Sequence, residues 1–529
     1  GAPEDLDPIY AETASDRTIL AHLYENLMRR TTDASGQETV TGAAARSYTE
    51  EANADGTVTY TFQIQGEWSD GRPVMAADFV FAWRRLADPA NDAPEASLLS
   101  AVAGYDTVRE TGDATALQVT AEDESTLTVV LSGSCGWFLS ETCTSVAAMP
   151  LRQDLLPSQE PAAEGEAAGA EEPAVAAGTA GPAAEADPWW SDVEGLVTNG
   201  PYQVSGYAAG ESLTLTAAGD RDISGPASLT FRFASAPEDA QTLYDAREVD
   251  FLGILPEERI AALAAEEDPS VAPESGVYTV VLNCGQDTLM DARVRRALSL
   301  VIDRTAAAEA AGVTARAAEG LIPPGVPESD EADFRTSGGD LLDNDPNHRA
   351  DLQEEARALL TEAGYVSVQD LGELEYLYVD AGNGAAVAQA LVQAWQSALG
   401  LRVTARAVTE EELSAALEGG TFSLAGIEIR ALGNDAECFL RQWSSTGGEN
   451  VSRYANSAYD TLLSVIAGAE DETARLGCLH DAEALLLEEG AVAPLYTTVT
   501  AWTLRDSLTG LVRDGRGWFS FAGVVAREA

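Results

Sequence analysis

The residue types that most often carry out chemistry in proteins are sparse in this 529-residue chain. Its three histidines, His22, His348 and His480, lie far apart in the sequence and form no HExxH pair of the kind that binds catalytic zinc. The chain also lacks a GxSxG nucleophile elbow, a Walker phosphate loop, a GxGxxG turn after a strand and a CxxC pair. Its 87 acidic residues are mostly solvated surface groups, so two neighbouring carboxylates do not indicate acid–base catalysis. The sequence therefore predicts a protein that is not an enzyme and uses no cofactor.

One polar run has the spacing of a calcium-binding loop. Positions one, three, five, nine and twelve of such a loop are matched by Asp343, Asp345, Asn347, Asp351 and Glu354. However, His348 stands where the sharp turn of the loop needs glycine, and Pro346 lies inside it. We favour a polar turn at the start of a helix over Leu352–Ala363, with calcium as the alternative, and assign no metal site.

The chain is strongly acidic, with 31 basic and 87 acidic residues, a formal net charge of −56 and no lysine. This charge excludes a nucleic-acid-binding protein and argues against docking on an anionic membrane, because both need a basic face. No apolar run is long enough to span a bilayer. The chain begins Gly1-Ala2-Pro3, and we expect a mature product that has lost an export signal.

The five cysteines are too few for a disulfide scaffold but are compatible with one or two bridges and a leftover thiol. Cys135 and Cys143 flank a short apolar segment, so a small loop closed by these two is one expected bridge. The tryptophans within periodic segments, Trp137 among them, are interpreted as core residues.

Apolar periodicity predicts an α/β protein in which strands alternate with helices. The predicted strands are Thr57–Ile64, two runs within Leu117–Leu131, Ser212–Thr216, Ser228–Phe233, Leu374–Val379, Arg402–Ala407 and Val492–Leu504. The predicted helices are Asp78–Leu86, with Asp78 near its N-terminus, Val294–Ala311, Leu352–Ala363, Ala385–Leu399 and Glu472–Glu489. Residues 157–188 consist mostly of Ala, Glu, Pro and Gly, and this composition predicts a disordered surface loop.

Several long motifs occur in one order along the chain. The longest runs WSDGRPVMAADFVFAW from Trp68 to Trp83, continued by RRLADP. The others are LDP at Leu6, LYENL at Leu23, TNGPY at Thr198, DARVRRALSLVIDR at Asp291, ARALLTEAGY at Ala356 and the segment from Ala482 to Tyr496. With these motifs the chain resembles the extracellular solute-binding proteins of ABC importers, in family 5, which includes the oligopeptide- and dipeptide-binding proteins.

This resemblance implies an α/β, two-lobed fold of the type II periplasmic-binding-protein kind, with an extra domain inserted in lobe one and a ligand cleft between the lobes. The implied domains are a discontinuous lobe-one domain at 1–45, 189–275 and 491–529, an inserted lobe-one domain at 46–156, the loop at 157–188, and lobe two at 276–490. The chain would cross between the lobes near Pro273–Gly276 and near Gly490–Pro494, and the lobes would close about these crossings.

The function implied by the resemblance is capture of a peptide or peptide-like solute by hinge closure, for import through an ABC permease of the cell membrane. A monomer is expected, located outside the cell as a surface lipoprotein or in a periplasm. The alternative is a protein that keeps this fold for sensing or surface interaction without transport, and its sign would be a closed or filled cleft.

The resemblance also places candidate ligand residues. The family's acidic anchor for a peptide amino group falls on Leu432, with Asp435 three residues away, and a pocket tryptophan falls on Ile429. Further pocket positions fall on Glu95 and Glu410, while Glu12 keeps an acidic contact and Tyr496 lies in the last matching strand. Three acids at the cleft would favour a cationic ligand; alternatively, Glu95 and Glu410 lie on shifted, solvated loops.

The family's own disulfide joins positions that fall on Gly276 and Arg430, so that bridge is absent. Cys284 and Cys438 each lie eight residues further on. If the two strands run parallel, these cysteines meet again, which makes Cys284–Cys438 the second expected bridge and leaves Cys478 free.

Overall fold

The computed structural model describes residues 2–527 except 33–37, 157–187, 220–224, 267, 329–331, 432, 447–449, 470 and 516. The described helices are α1 (Ala14–Leu23), α2 (Ala76–Ala87), α3 (Tyr105–Thr111), α4 (Pro237–Asp245), α5 (Glu257–Ala265), α6 (Ala292–Leu300), α7 (Arg304–Ala311), α8 (Phe334–Gly338), α9 (Arg349–Glu362), α10 (Gly384–Leu399), α11 (Glu410–Gly419), α12 (Ala436–Leu440), α13 (Ser457–Ala467) and α14 (Glu472–Glu488). None of these helices is long and apolar enough to cross a membrane. The predicted disordered loop lies, apart from its last residue, outside the described residues.

The described strands form several sheets, the largest with six strands. They are β1 (Met28–Thr32), β2 (Glu38–Gly42), β3 (Ala45–Ala52), β4 (Val58–Ile64), β5 (Val119–Ala121), β6 (Thr126–Leu131), β7 (Tyr202–Ala208), β8 (Ser212–Ala217), β9 (Ser228–Arg232), β10 (Phe251–Leu252), β11 (Val271–Leu282), β12 (Ala315–Ala317), β13 (Leu374–Val379), β14 (Val403–Val408), β15 (Leu424–Arg430), β16 (Val492–Ala501), β17 (Thr503–Leu504), β18 (Leu508–Thr509), β19 (Val512–Arg513), β20 (Phe519–Ser520) and β21 (Val525–Ala526).

Lobe one is the part of the chain packed around one apolar core that extends from Leu6 to Leu215. Its four-stranded sheet has the order β3-β4-β6-β5, and β4 buries every second residue, as the sequence alternation predicts. Helix α2 contributes Phe79 and Trp83, both fully buried, to this core. The helix begins at Ala76, two residues before the predicted Asp78, and Asp78 lies in its first turn, where its carboxylate accepts the Met75 backbone N–H at 2.9 Å.

Lobe two is built on the six-stranded sheet, with the order β12-β16-β11-β15-β13-β14. The first four strands pair antiparallel, and β13 pairs parallel with both β15 and β14. One side of the sheet carries a core that includes Val277, Ile429 and residues of α14. The other side carries a core with α6, α9 and α10, which includes Trp395. Both sides of the sheet are therefore covered, as expected for an α/β fold.

Two neighbouring strands, β11 and β16, extend from the sheet of lobe two to a smaller core. They pair antiparallel from Val271 opposite Ala501 to Val281 opposite Val492, and the register shifts between Pro273 and Val277. Val271 packs in a small core with α4 and α5, whereas Val281 packs in the core of lobe two. The irregularity in the ladder therefore lies between the two packed ends of β11.

The structure corrects the prediction of one helix over Val294–Ala311. The segment forms two helices, α6 and α7, because Asp303 interrupts it and caps the second helix by accepting the Ala306 backbone N–H at 3.1 Å.

Both predicted disulfides are wrong, since all five cysteines are free thiols. β11 and β15 pair antiparallel, with Gly276 opposite Arg430 and Leu282 opposite Leu424, so the chains leading to Cys284 and Cys438 diverge. Cys143 is fully buried in the core of lobe one, whereas Cys135 packs where the two cores meet. Burial raises the pKa of the Cys284 thiol to about 11, which keeps it protonated and unreactive at neutral pH.

The residues with calcium-loop spacing form a polar turn before α9. Asp343 accepts the Asp345 backbone N–H at 2.9 Å, and its second carboxylate oxygen lies 2.7 Å from His348 Nδ1. Asp345 in turn accepts the Asn347 backbone N–H at 2.8 Å. In the described part of the chain, no group of three or more His, Cys, Asp or Glu side chains is arranged to hold a metal ion.

Candidate functional site

A cavity of about 230 Å³ lies where the two lobes meet. Lobe one contributes Pro94, Ser97 and Trp137 to its lining, and lobe two contributes Arg430, Cys438, Arg441 and Gln442. A larger depression of about 470 Å³ between α7, α9 and α10 is lined by lobe-two residues alone. The smaller cavity is therefore the candidate ligand site of a two-lobed binding protein.

Trp137 and Arg441 face each other across the boundary between the lobes. Trp137 follows β6 in lobe one, but it packs with the core of lobe two, and only 3% of its surface is exposed. The Arg441 guanidinium carbon lies 5.5 Å from the centre of the Trp137 ring, a cation–π distance. This contact joins the lobes and positions a cationic group at the cavity.

A polar contact also joins the lobes close to the cavity. Glu141 of lobe one accepts the Asn434 backbone N–H of lobe two at 2.9 Å and forms an ion pair with Arg30. A Cβ atom at Gly433 would lie 2.5 Å from the Glu141 side chain. The lobe-two loop therefore approaches Glu141 so closely that only glycine fits at position 433.

A buried arginine balances the acids at the start of α12. Arg475 donates to both carboxylate oxygens of Asp435, at 2.8 and 3.0 Å, and to Glu437 at 3.1 Å. Burial raises the pKa of Glu437, and the neighbouring Asp435 adds to this effect while Arg475 opposes it. Asp435 also caps α12 by accepting the Glu437 backbone N–H. The two acids nearest the cavity on this helix are thus engaged by Arg475.

The three predicted acidic ligand residues occupy different environments. Glu95 is buried, forms an ion pair with Arg17 at 2.7 Å and accepts the Ser145 hydroxyl at 3.4 Å. Glu12 is exposed in the turn before α1. Glu410 is exposed in the first turn of α11, where a carboxylate favours the helix N-terminus. None of the three is itself a lining residue of the cavity, but Glu95 lies between the lining residues Pro94 and Ser97.

The other predicted residues lie in lobe two. Ile429 is 2% exposed, belongs to β15 and directly precedes the cavity residue Arg430. Tyr496 stacks on Tyr278, with ring centres 5.1 Å apart, and packs against the core that includes Trp395. Leu432 lies outside the described residues.

Sequence reasoning missed Arg441 and Gln442, and it assigned Trp137 to the core without a role at a site. The structure confirms that Trp137 is buried, but its indole N–H has no hydrogen-bond partner among the described residues. No local sequence pattern pairs Trp137 with Arg441, because only the packing of the lobes brings them together.

Comparisons with known proteins agree with this architecture. Residues 39–450 match the family described as bacterial extracellular solute-binding proteins, family 5 Middle. The Escherichia coli periplasmic murein peptide-binding protein MppA is 26% identical over 517 residues, 96% of this chain and 88% of MppA. The E. coli probable deoxycholate-binding periplasmic protein YgiS is 28% identical over 505 residues, 93% of this chain and 86% of YgiS. The Bacillus subtilis oligopeptide-binding protein OppA is 25% identical over 534 residues, 97% of this chain and 89% of OppA.

Solved structures show the same two-lobed fold. The unliganded open form of MppA matches with a TM-score of 0.72 and 23% identity, covering 99% of this chain and 95% of that one. Haemophilus influenzae OppA in complex with the peptide RPPGFSPFR matches with a TM-score of 0.69 and 24% identity, covering 99% of this chain and 97% of that one. At these identities the likeness establishes the fold. Together with the family match, it shows that the chain belongs to the bacterial extracellular solute-binding proteins of family 5.

Proposed function

We propose that this protein captures a peptide or peptide-like solute between its lobes and delivers it to an ABC permease. The observation that carries the proposal is the cavity lined by both lobes, because a ligand held there contacts Trp137 and Arg441 at once and stabilises the closed arrangement. The peptide-binding relatives MppA and OppA support the choice of ligand class. The alternative is sensing or surface interaction without transport, with a closed or filled cleft as its sign, and the peptide-binding relatives favour solute capture over it.

The hinge belongs to the same proposal. The two crossing strands are hydrogen-bonded neighbours, and the ladder is irregular at Pro273–Val277, opposite Thr497–Val499. Bending at an irregular stretch disturbs fewer ladder hydrogen bonds than bending in a regular one. We place the hinge there, with the domain division at 1–45, 46–156, 189–275, 276–490 and 491–529 as predicted from the sequence.

Among the residues predicted as ligand contacts, Ile429, Glu95 and Asp435 are retained in the proposal because they lie within three residues of the cavity residues Arg430, Pro94 and Cys438. A monomer outside the cell, in a periplasm or anchored as a lipoprotein, is the proposed setting. The extracellular and periplasmic relatives in the family support the location outside the cell.

A thermal-shift screen tests the proposal. A true ligand present at 100 times its dissociation constant adds about 2.7 kcal/mol to the free energy of unfolding, which raises the melting temperature. The panel contains short peptides, amino acids, polyamines and sugars, and we expect short peptides to give the increase. Small-angle scattering with and without the peptide measures closure of the lobes.

Two variants make the screen specific for the cavity. Trp137→Phe removes the indole N–H at the cavity and should weaken the shift caused by the ligand. Trp395→Phe changes a buried tryptophan on the other side of the lobe-two sheet and should leave the ligand-induced shift unchanged. If no class in the panel raises the melting temperature and scattering shows no closure, the proposal is contradicted.

A further inference from the structure

The charged side chains that line the interlobe cavity are basic. Arg430 and Arg441 are the two side chains with permanent charge in the lining, and no carboxylate from the described part of the chain belongs to it. The lining thus has the opposite charge to the chain as a whole, in which acidic residues outnumber basic ones by 87 to 31. A basic lining in so acidic a protein favours an anionic group of the ligand.

Arg441 is a cation without an acidic partner in the described part of the chain. Arg441 follows α12 in the short 3-10 helix Arg441–Trp443, and no carboxylate lies within ion-pair distance of it among the described residues. The nearby acids Asp435 and Glu437 are both bound by Arg475. Arg430 is two-thirds exposed and forms an ion pair with Glu428 at 3.1 Å, which places its guanidinium at the rim.

The cavity lining contains a second hydrogen-bond donor, the indole N–H of Trp137. Only 3% of the Trp137 surface is exposed, and its indole N–H has no hydrogen-bond partner among the described residues. Leaving a buried donor unpaired costs about 1–3 kcal/mol, and a ligand acceptor can recover this. Trp137 lines the cavity together with Arg441, and it also holds the guanidinium by the cation–π contact. An anion with two acceptor oxygens suits this pair of donors.

We propose that the cavity binds a carboxylate of the captured solute through Arg441 and the Trp137 indole N–H, with Arg430 at the rim. The inference rests on the proposed function and names the charge of the ligand group at the same site. The volume of about 230 Å³ accommodates one group of amino-acid size. The carboxylate therefore comes either from an acidic side chain or from the C-terminus of a short peptide. The ligand's charge is opposite in sign to the cationic ligand suggested by Glu12, Glu95 and Glu410.

Four tripeptides distinguish the two sources of the carboxylate. The probes are alanyl-glutamyl-alanine and alanyl-glutaminyl-alanine, each with a free and with an amidated C-terminus. Isothermal titration calorimetry measures their dissociation constants for the full chain and for its Arg441→Gln variant. Arg293→Gln serves as the matched control, because Arg293 pairs with Asp291 on α6 and does not line the cavity.

We expect a peptide with the recognised carboxylate to bind about 10- to 100-fold more tightly than its amide counterpart. Arg441→Gln should abolish this preference, and Arg293→Gln should preserve it. A preference for the glutamyl peptides assigns the site to a side chain, and a preference for free C-termini assigns it to the peptide terminus.

Equal affinity for all four peptides overturns the inference and leaves the proposed function standing. A carboxylate preference that survives Arg441→Gln also overturns the inference. If none of the four peptides binds and the wider panel of short peptides fails as well, the proposed function fails and the inference fails with it.

Discussion

Replacing Glu483 by glutamine removes one partner of the most completely buried ion pair that the structure describes. Glu483 lies on α14 with 0% of its side chain exposed, and it accepts from both terminal nitrogens of Arg335, at 2.9 and 2.8 Å. Its Oε1 also accepts the backbone N–H groups of Leu321 and Ile322, at 2.8 and 2.9 Å. One carboxylate therefore ties α14 to α8 and to the segment that follows β12.

The expected cost of Glu483→Gln follows from this geometry. The introduced glutamine can still accept the two backbone N–H groups through its amide oxygen, but its amide N–H₂ faces the donors of Arg335. The Arg335 side chain is 4% exposed and keeps its charge, so the variant contains an uncompensated buried cation. Breaking one side of a buried ion pair typically costs about 3–5 kcal/mol, and we expect a loss of this size.

A second substitution separates the buried charge from the loss of packing. In the double variant Glu483→Gln/Arg335→Met no charge from this pair remains in the core, and the two backbone N–H groups keep an acceptor. Because a buried ion pair replaced by uncharged side chains is often neutral in stability, the double variant should be more stable than Glu483→Gln alone.

Urea unfolding followed by far-UV circular dichroism measures these free energies from the shift of the midpoint. Glu488→Gln is the matched control on the same helix, since Glu488 is 67% exposed and pairs with Arg296 at the surface. The control should cost less than about 1 kcal/mol. A cost below that value for Glu483→Gln, or a double variant less stable than the single one, would refute the reasoning.

Burial lowers the pKa of the His22 imidazole from an ordinary 6.5 to about 4. Below pH 6.5 the unfolded chain therefore binds a proton at His22 that the folded protein does not bind. The free energy of unfolding should fall by about 3 kcal/mol as the pH drops from above 6.5 to 4. The stability difference between the native protein and His22→Gln, measured by urea unfolding, should change by this amount, whereas the exposed His348, whose pKa Asp343 raises, should give no such loss. Asp78→Ala removes the acceptor of a buried indole N–H and of a helix-capping N–H, and should lower the free energy of unfolding by about 1–3 kcal/mol; an unchanged urea midpoint would contradict this role. Alkylation of the unreduced, urea-unfolded protein should label all five thiols; an unlabelled Cys284–Cys438 pair in the peptide map would show a bridge that the structure lacks.

The sequence predicted a helix or strand correctly where a single local pattern determines that element. The alternation in Thr57–Ile64 gave β4, and the spacing after Asp78 gave α2, because burial of one face and capping of one end are both encoded within a dozen residues. The break between α6 and α7 was also readable, since Asp303 is a strong N-cap residue inside the predicted helix. Apolar periodicity continued across the break and concealed it.

The candidate site depended on contacts between residues far apart in the chain. Glu95 pairs with Arg17, 78 residues before it, and no spacing rule connects the two. Arg441 reaches Trp137 only because the lobes pack together. The expected Cys284–Cys438 bridge assumed parallel strands, and the antiparallel pairing of β11 with β15 could not be derived from either strand alone. Strand direction and lobe packing are global properties, so the sequence predicted the scaffold better than the site.

The contact of Glu141 with the Gly433–Asn434 loop has a consequence for the kinetics of ligand uptake. This contact and the stacking of Arg441 on Trp137 hold the lobes together through protein groups alone. Such contacts lower the free energy of the closed form before any solute arrives, so part of the population must open first to admit one. The observed association rate should then level off at high solute concentration, at the rate of lobe opening. Gly433→Ala, which crowds Glu141, should raise that plateau.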